Sequence, residues 1–376
     1  MRRVAFPVIL ILLAATALAQ PITTPPSGDN QKSSVTQFIG PVRVTIDYNS
    51  PNVTGPNGED RRGKIWGTLV PWGFIDEPFG TCTQCPWRAG ANENTVLTVS
   101  HDVEVEGKKL PAGSYGVFLA PAQSGDWTLI LSKNFTSWGH YTYDPAEDAV
   151  RASVKPAKSE YHEWLTYEFT DRQPDRATVA LKWEELQVPF TIRVPDVSGI
   201  YLAKIREQLR AYPGFAWENW DRAARYALTA KRLDDALEFA QTATSKPFTG
   251  RENFTTLTTL AEVQEARGMT AEATATRNKA LNHETANAID LHQYARQKMQ
   301  SGNKDEAVRV WQLNAKRFPN KWPVNVGLMR AHSAQGQYKE ALKYAQLALA
   351  QAPDEGNRRS LEAAVKTLGE GKPVAP

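Results

Sequence analysis

Between residues 42 and 194, apolar and polar residues alternate along the chain with a period of two. The alternation is clearest over 42–48 and 188–194, where valine, isoleucine and aromatic residues take every second position. This period is expected of β-strands that bury one face. Many short segments of this kind, separated by glycine and proline and by no helical pattern, are typical of antiparallel sheets. The pattern therefore predicts an antiparallel β-sandwich or a jelly-roll-like domain.

Nine further segments with strand character lie between these two. They are predicted at 65–70, 95–100, 103–106, 115–120, 127–132, 141–143, 150–154, 165–170 and 177–183. Loops rich in glycine and proline, such as 111–113 and 121–125, separate them. The pattern does not define the order of the strands within the sheets.

Beyond Pro195 the period changes to that of an amphipathic helix and stays helical to about residue 368. This part of the chain repeats every 34 residues, and an earlier, looser unit around Ala236 carries a three-residue insertion. The residues that keep the 34-residue spacing are Gly268, Gly302 and Gly336; Ala273, Ala307 and Ala341; Pro319 and Pro353. A repeat of this length predicts stacked helix pairs that form a solenoid, an architecture that offers a surface to a partner.

The N-terminus has the pattern of an export signal. Two arginines precede an apolar run over 4–17, and Ala17-Leu18-Ala19 forms a small-x-small cleavage site before Gln20. The run is shorter than the roughly 20 residues that cross a bilayer, so a retained anchor is the weaker alternative and no transmembrane span is expected in the mature chain. The predicted organisation is a signal peptide over 1–19, a flexible leader over 20–36, a β-domain over 37–195 and helical repeats over 196–370. The predicted location is the periplasm or the outside of the cell.

Length and composition support two ordered domains and exclude one class of partner. The 376 residues suffice for more than one core, and an apolar content of 41% is far above that of disordered chains. The 44 basic and 41 acidic residues give a formal charge of +3, with no stripe of lysine and arginine. The sequence therefore gives no electrostatic indication of nucleic-acid binding.

The chain has two cysteines, Cys82 and Cys85, which export into an oxidising compartment predicts to be disulfide-bonded. A redox-active pair is one alternative, but no strand-then-helix context of the thioredoxin kind surrounds the two residues. Zinc binding is another, but a second cysteine pair is missing and no histidines have metal-ligand spacing. We expect a local staple of a turn, with no metal and no cofactor.

From Trp217 to Pro353 the chain resembles tetratricopeptide repeats. The turn glycines, the small residues and the prolines named above carry this resemblance. Met329 and Arg277 depart from the usual residue types. In this family the first helix of each pair lines an inner groove, which implies a binding surface for a protein or peptide segment; the alternative is that these are solvated polar faces. The residues implied are Glu218, Asp221, Arg225, Glu262, Glu265, His292, Arg296 and Arg330.

Two loops of the β-domain, over 61–71 and 86–95, are rich in Trp, Arg, Asn and Gly. With Gly63-Lys-Ile-Trp-Gly67 and Trp87-Arg-Ala-Gly-Ala-Asn-Glu93, the region over about 37–192 resembles a bacterial exported family known as domain of unknown function 2911. The segment containing the two cysteines looks like a local addition to the pattern of that family. The resemblance implies export and a shared fold, but it implies little about function.

The same loops predict a ligand site in which cations meet an anionic or hydroxyl-rich ligand and indoles stack on its apolar face. The candidate residues are Lys64, Trp66, Trp87, Arg88, Asn92 and Glu93. The alternative is internal: Arg88 and Glu93 form an ion pair that, with Asn92, fixes a tight turn.

Candidate catalytic chemistry is sparse. Glu93 and His101 are the one nearby pair of an acid and a base, and the chain lacks the usual nucleophile-elbow, zinc-protease and phosphate-loop motifs. The favoured hypothesis is an exported non-catalytic adaptor, whose β-domain binds an envelope ligand such as a glycan or a peptide and whose repeats bind a protein. The alternatives are a periplasmic hydrolase with its site in the β-domain, and a purely architectural protein.

Overall fold

A computed structural model describes residues 30–374, and the chain divides between residues 197 and 198 into two compact units. Antiparallel sheets build the first unit, here called the β-unit, and helices build the second, here called the helical unit. The predicted fold class is therefore confirmed. The predicted signal peptide and most of the predicted leader lie outside the described residues. Within 30–374, no helix has both the length and the hydrophobicity to cross a bilayer.

The described residues of the β-unit form two antiparallel sheets. One has six strands in the order β1-β2-β3-β6-β7-β8, and the other has four in the order β5-β4-β10-β9. The described strands are β1 (Gln31–Ile39), β2 (Val42–Ser50), β3 (Thr95–Val99), β4 (Val103–Val105), β5 (Lys108–Leu110), β6 (Gly113–Ala120), β7 (Trp127–Ser132), β8 (Asp148–Val154), β9 (Ala157–Thr170) and β10 (Arg176–Arg193).

The core of the β-unit follows from the alternation along its strands. In β2 the side chains of Val42, Val44 and Ile46 are buried, while the residues between them face outward or are half-buried. Contacts between the sheets include the rings of Tyr48 on β2 and Tyr167 on β9, whose centroids are 4.9 Å apart. The apolar faces of the two sheets are thus packed together, as in a sandwich.

Two predicted strands are wrong. Over 65–70 the backbone makes tight turns, because Gly67 has a φ of +84° and its N–H donates to the carbonyl of Val70. Over 141–143 the chain also turns, with the N–H of Tyr143 donating to the carbonyl of His140. In these segments Ile65, Val70 and Tyr143 are buried within loops, which a count of alternating residues does not distinguish from a strand.

Other differences concern strand ends. Strand β1 begins at Gln31, inside the predicted leader, because residues 31–36 pair with β2 along their whole length. Strand β5 was not predicted. The two segments predicted at 177–183 and 188–194 belong to the single strand β10, in which Glu184 has a φ of +53° at an irregularity in the pairing with β9.

The helical unit contains four antiparallel helix pairs, α2 with α3, α4 with α5, α6 with α7 and α8 with α9, flanked by α1 and α10. The described helices are α1 (Val197–Gln208), α2 (Trp217–Thr229), α3 (Leu233–Ser245), α4 (Phe254–Ala266), α5 (Thr270–Asn282), α6 (Ala288–Gln300), α7 (Lys304–Arg317), α8 (Trp322–Ala334), α9 (Tyr338–Ala350) and α10 (Glu355–Gly369).

The repeating glycines close the turn within each pair. Gly268, Gly302 and Gly336 have φ between +75° and +86°, a conformation that glycine adopts without strain. In the first pair Lys231 takes this place with a φ of +58°. The predicted insertion lies between α3 and α4, which are separated by residues 246–253, three more than the five residues 283–287 between α5 and α6.

The repeating alanines lie where the two helices of a pair approach each other. Ala273, Ala307 and Ala341 are at most 2% exposed. The two departures from the family pattern are both accommodated: Met329 is buried in α8, and Arg277 forms an ion pair with Glu265.

Candidate functional site

The β-unit contains a cavity of about 340 Å³, here called the tryptophan cavity. Its wall comes from loops that are distant in sequence, and it includes Arg61, Leu69, Trp87, Arg88, Asn92 and His140. Its volume is at the lower end of the range for pockets that hold small molecules.

Two tryptophans of the cavity lining, Trp87 and Trp183, belong to a cluster of five tryptophans. The ring of Trp87 stacks on that of Trp183 at 6.2 Å with an interplanar angle of 16°, and Trp66 meets Trp87 edge-on at 5.7 Å. Trp127 contacts both Trp66, at 5.1 Å, and Trp72, at 6.4 Å. Rings packed at these angles fix one another, so the indole of Trp87 forms a rigid wall.

The loop that carries Trp87 and Arg88 has an unusual backbone. Ala89 has a φ of +51°, a value that is uncommon for any residue with a side chain. Two hydrogen bonds hold it there, because its carbonyl accepts from Thr95 Oγ1 at 3.0 Å and from the Tyr167 hydroxyl at 2.8 Å. The loop is therefore held in one conformation by the core, and it keeps the side chain of Arg88 at the cavity.

The guanidinium of Arg88 is held by contacts that leave its charge uncompensated. Its Nη1 donates to the carbonyl of Asn92 at 2.7 Å, and the group lies 5.4 Å from the ring centre of Tyr141. It also packs on the backbone of Gly139, where an added Cβ would be 2.3 Å from Arg88 Cζ. Within residues 30–374 Arg88 pairs with no carboxylate. The predicted internal pair with Glu93 is therefore wrong.

His140 lies beside Arg88 in the wall of the cavity. Burial lowers the pKa of His140, and the positive charge of Arg88 lowers it further. The carboxylate of Glu77, whose Oε2 lies 3.6 Å from His140 Nε2, raises the pKa but does not outweigh these two effects. The imidazole is therefore neutral at pH 7.

The structure brings together only part of the predicted ligand site. Trp87, Arg88 and Asn92 line the cavity, whereas Lys64, Trp66 and Glu93 do not. Lys64 is exposed, and Trp66 lies behind the wall in the tryptophan cluster. The exposed Glu93 accepts a hydrogen bond from Asn49 Nδ2 at 2.8 Å.

Arg61 and His140 were not predicted as site residues. The one signal for His140 was its context, Trp138-Gly-His, in which Gly139 has a φ of +64° and makes room for Arg88.

The predicted catalytic pair is not assembled. Glu93 precedes β3 and His101 follows it, and a five-residue strand spans about 17 Å. His101 instead contacts Ser100 Oγ through Nδ1 at 2.9 Å. The structure therefore does not bring this acid and this base to one reacting bond.

Cys82 and Cys85 form a disulfide, which confirms that prediction. Both sulfurs belong to a buried cluster with Phe118, Ile130 and Tyr143, and Cys85 also borders the tryptophan cavity. Among the described residues, no group of three or more His, Cys, Asp and Glu side chains has an arrangement that could hold a metal ion.

The helical unit has a cavity of about 610 Å³ between α6, α8 and α10, here called the repeat groove. Three of the predicted partner-binding residues, His292, Arg296 and Arg330, line it together. Its apolar part includes Trp322 and Leu361.

Two arginines and one histidine are the ionisable side chains that line the repeat groove. Burial lowers the pKa of His292 to about 4, helped by the charges of Arg330 and Arg296, so the ring is neutral at pH 7. Burial and the charge of Arg296 also lower the pKa of Arg330. The charged side chains of the lining are these two arginines, and within the described chain Arg296 is exposed and forms no ion pair.

The other predicted partner-binding residues lie outside this groove, in the earlier repeats. Arg225 Nε bonds Asp221 Oδ2 at 3.0 Å, and Arg225 Nη1 lies 3.9 Å from Glu262 Oε2. Glu265 pairs with Arg277, and Glu218 is exposed on α2. Most of these charges are therefore already compensated within the unit.

A short segment after α10 crosses the end of the repeat groove. The N–H of Val374 donates to Ser333 Oγ at 3.0 Å. Pro373 and Val374 line both the groove and a neighbouring cavity of about 460 Å³ that also includes Arg330.

In a comparison with known proteins, most of the β-unit matches one family model. Residues 30–192 match the family model described as protein of unknown function (DUF2911), which confirms the resemblance seen in the sequence. No curated protein matches the chain.

Several solved structures are similar to the chain at low identity. A tetratricopeptide repeat protein from Parabacteroides merdae is 18% identical, with a TM-score of 0.30; the match covers 41% of this chain and 60% of that one. TTC0263, a tetratricopeptide repeat protein of Thermus thermophilus, is also 18% identical, with a TM-score of 0.30 and coverage of 45% and 91%. YrrB, described as a tetratricopeptide repeat protein with an unusual peptide-binding site, is 16% identical, with a TM-score of 0.27 and coverage of 41% and 77%. The assignment of helical repeats here rests on the 34-residue pairs themselves.

Proposed function

We propose that the chain is an exported, non-catalytic adaptor. In this proposal the repeat groove binds a segment of a protein partner, and the tryptophan cavity binds a ligand of the cell envelope. The observation that carries the proposal is the convergence of His292, Arg296 and Arg330 on one groove with an apolar floor.

The character of the groove indicates the kind of segment. Arg296 lines it, is exposed and forms no ion pair among the described residues, so an incoming carboxylate meets positive charge there. The floor formed by Trp322, Val326 and Leu361 suits an apolar side chain of the same segment. An extended segment with acidic and apolar residues therefore fits best.

Reversing one charge tests this proposal. We expect Arg296→Glu to weaken the binding of an acidic peptide by about tenfold, or about 1.4 kcal/mol. The variant places a negative charge where the acidic peptide is expected to bind. Because Arg296 is exposed and unpaired within the described chain, its replacement leaves no internal carboxylate unsatisfied. The measurement is fluorescence anisotropy on a panel of labelled peptides that share one leucine and carry aspartate, asparagine or lysine around it.

Arg222→Glu is the matched control, because Arg222 is an exposed arginine on α2, outside the groove. It should leave all three affinities within about twofold of those of the unmodified protein. If the unmodified protein binds the three peptides equally, or if both variants lose the same affinity, the repeat groove is not the binding site of an acidic segment.

The proposed export leads to a second prediction. The small-x-small pattern before Gln20 leads us to expect that expression in a Gram-negative host gives a periplasmic protein whose first residue is Gln20. Intact-mass measurement of the periplasmic fraction checks this, and Ala19→Arg should block processing. A full-length chain recovered from the cytoplasm, with both cysteines reduced, would contradict export.

A further inference from the structure

The charged side chains that line the tryptophan cavity are both cations. Arg61 pairs with Glu59, which lies outside the cavity, whereas Arg88 has no carboxylate partner within residues 30–374. A half-buried charge without a counter-charge is costly in a protein, and a bound anion would supply the missing partner.

The guanidinium of Arg88 also has N–H groups that could donate hydrogen bonds to a ligand. An arginine carries five N–H donors, and among the described residues the one acceptor bonded to Arg88 is the carbonyl of Asn92. Gly139 and the ring of Tyr141 fix the plane of the group, so a ligand would not have to order it. Carboxylate and phosphate groups accept two parallel N–H bonds from such a fork.

Another part of the cavity lining is apolar. Trp87 donates from Nε1 to the carbonyl of Gly90 at 3.2 Å, and its ring stacks on Trp183, which is 1% exposed. Leu69 lines the cavity and is 47% exposed. The neutral His140 adds a polar but uncharged edge.

From this arrangement we infer that the tryptophan cavity binds a small organic anion, with its carboxylate or phosphate group on Arg88 and its apolar body against Trp87. The inference rests on the proposed function, because it names the class of ligand that the β-unit takes. Carboxylates and phosphate esters share the chemistry that Arg88 recognises, so the test contains one of each.

The experiment is calorimetric titration of the full chain with benzoate, phenyl phosphate and benzamide, which has a similar size and shape to benzoate and no charge. We expect at least one of the two anions to bind ten times more tightly than benzamide. Arg88→Gln should abolish this preference, whereas Arg62→Gln, at an exposed arginine outside the cavity, should retain it.

Arg88 also bonds its own loop, so a second variant is needed in case Arg88→Gln unfolds the β-unit. Leu69→Trp fills the cavity at a position that is partly exposed and leaves Arg88 in place. It should weaken the binding of all three compounds by tenfold or more. Unchanged affinity for the anions in Leu69→Trp would place their binding elsewhere and overturn the inference.

The outcomes separate this inference from the proposed function. If benzamide binds as tightly as both anions, the cavity remains a ligand site but the inference of an anion is wrong. If none of the three binds at millimolar concentration, both the inference and the ligand-binding role of the β-unit fail. Neither result affects the repeat groove, which the peptide panel tests separately.

Discussion

Trp183→Ala should lower the free energy of unfolding of the β-unit by about 3–5 kcal/mol, the range observed when a fully buried large aromatic is truncated. Trp183 is 1% exposed on β10, and its ring contacts those of Trp66 at 5.9 Å and Trp87 at 6.2 Å. The loss should come from packing alone, because the buried Nε1 of Trp183 has no acceptor among the described residues.

The measurement is hydrogen exchange as a function of urea, read on peptides from β7 and β10 for the β-unit and from α8 for the helical unit. Trp138→Ala is the matched control, since Trp138 is 52% exposed, and it should cost less than about 1 kcal/mol. If both variants lose the same small amount, the tryptophan cluster does not form the core described here.

Trp183→Phe separates packing from hydrogen bonding at the same position. Phenylalanine keeps part of the buried ring and removes the unsatisfied N–H, whose burial is unfavourable. We therefore expect a smaller loss than for alanine.

How far the sequence predicts this protein depends on whether a feature has a period. The helix pairs could be predicted because their glycines, alanines and prolines recur every 34 residues, and each recurrence marks the same place in a pair. His292, Arg296 and Arg330 were named through the resemblance to tetratricopeptide repeats, and all three lie on the first helix of a pair. The repeat does not predict that acidic residues pair with Arg225 and Arg277, because these ion pairs depend on side-chain conformations.

The tryptophan cavity is lined mainly by loops of the β-unit, which carry neither the 34-residue repeat nor the regular alternation of the strands. Trp87, Arg88 and Asn92 were predicted because they follow one another in one unusual loop. Arg61 and His140 also line this cavity, but Arg61 precedes that loop in the sequence and His140 follows it. Irregular backbone turns bring the two residues to the cavity. No local pattern encodes such an encounter, and at 65–70 the alternation of apolar residues predicts a strand where the chain turns.

At Gly327, in the middle of α8, two opposing effects decide the outcome of a substitution by alanine. Alanine is the better helix former by about 1 kcal/mol, which favours the variant. The new Cβ, however, would lie 2.5 Å from Cδ1 and 3.0 Å from Cγ of Trp311 on α7. Trp311 is completely buried in a cluster with Leu291 and Val310, so its ring can move only toward the neighbouring cavity of about 460 Å³ that it also lines.

We therefore expect Gly327→Ala to destabilise the helical unit by about 1–2 kcal/mol, because overpacking costs of about 1–3 kcal/mol exceed the gain in helix propensity. Gly369→Ala, at the last residue of α10, is the matched control: nothing lies within 4 Å of its added Cβ, so it should stabilise slightly or have no effect. Hydrogen exchange on peptides from α7 and α8 provides the measurement. A stabilising Gly327→Ala would mean that α7 and α8 are separable at low cost, so that a partner in the adjacent repeat groove would bind to a deformable surface.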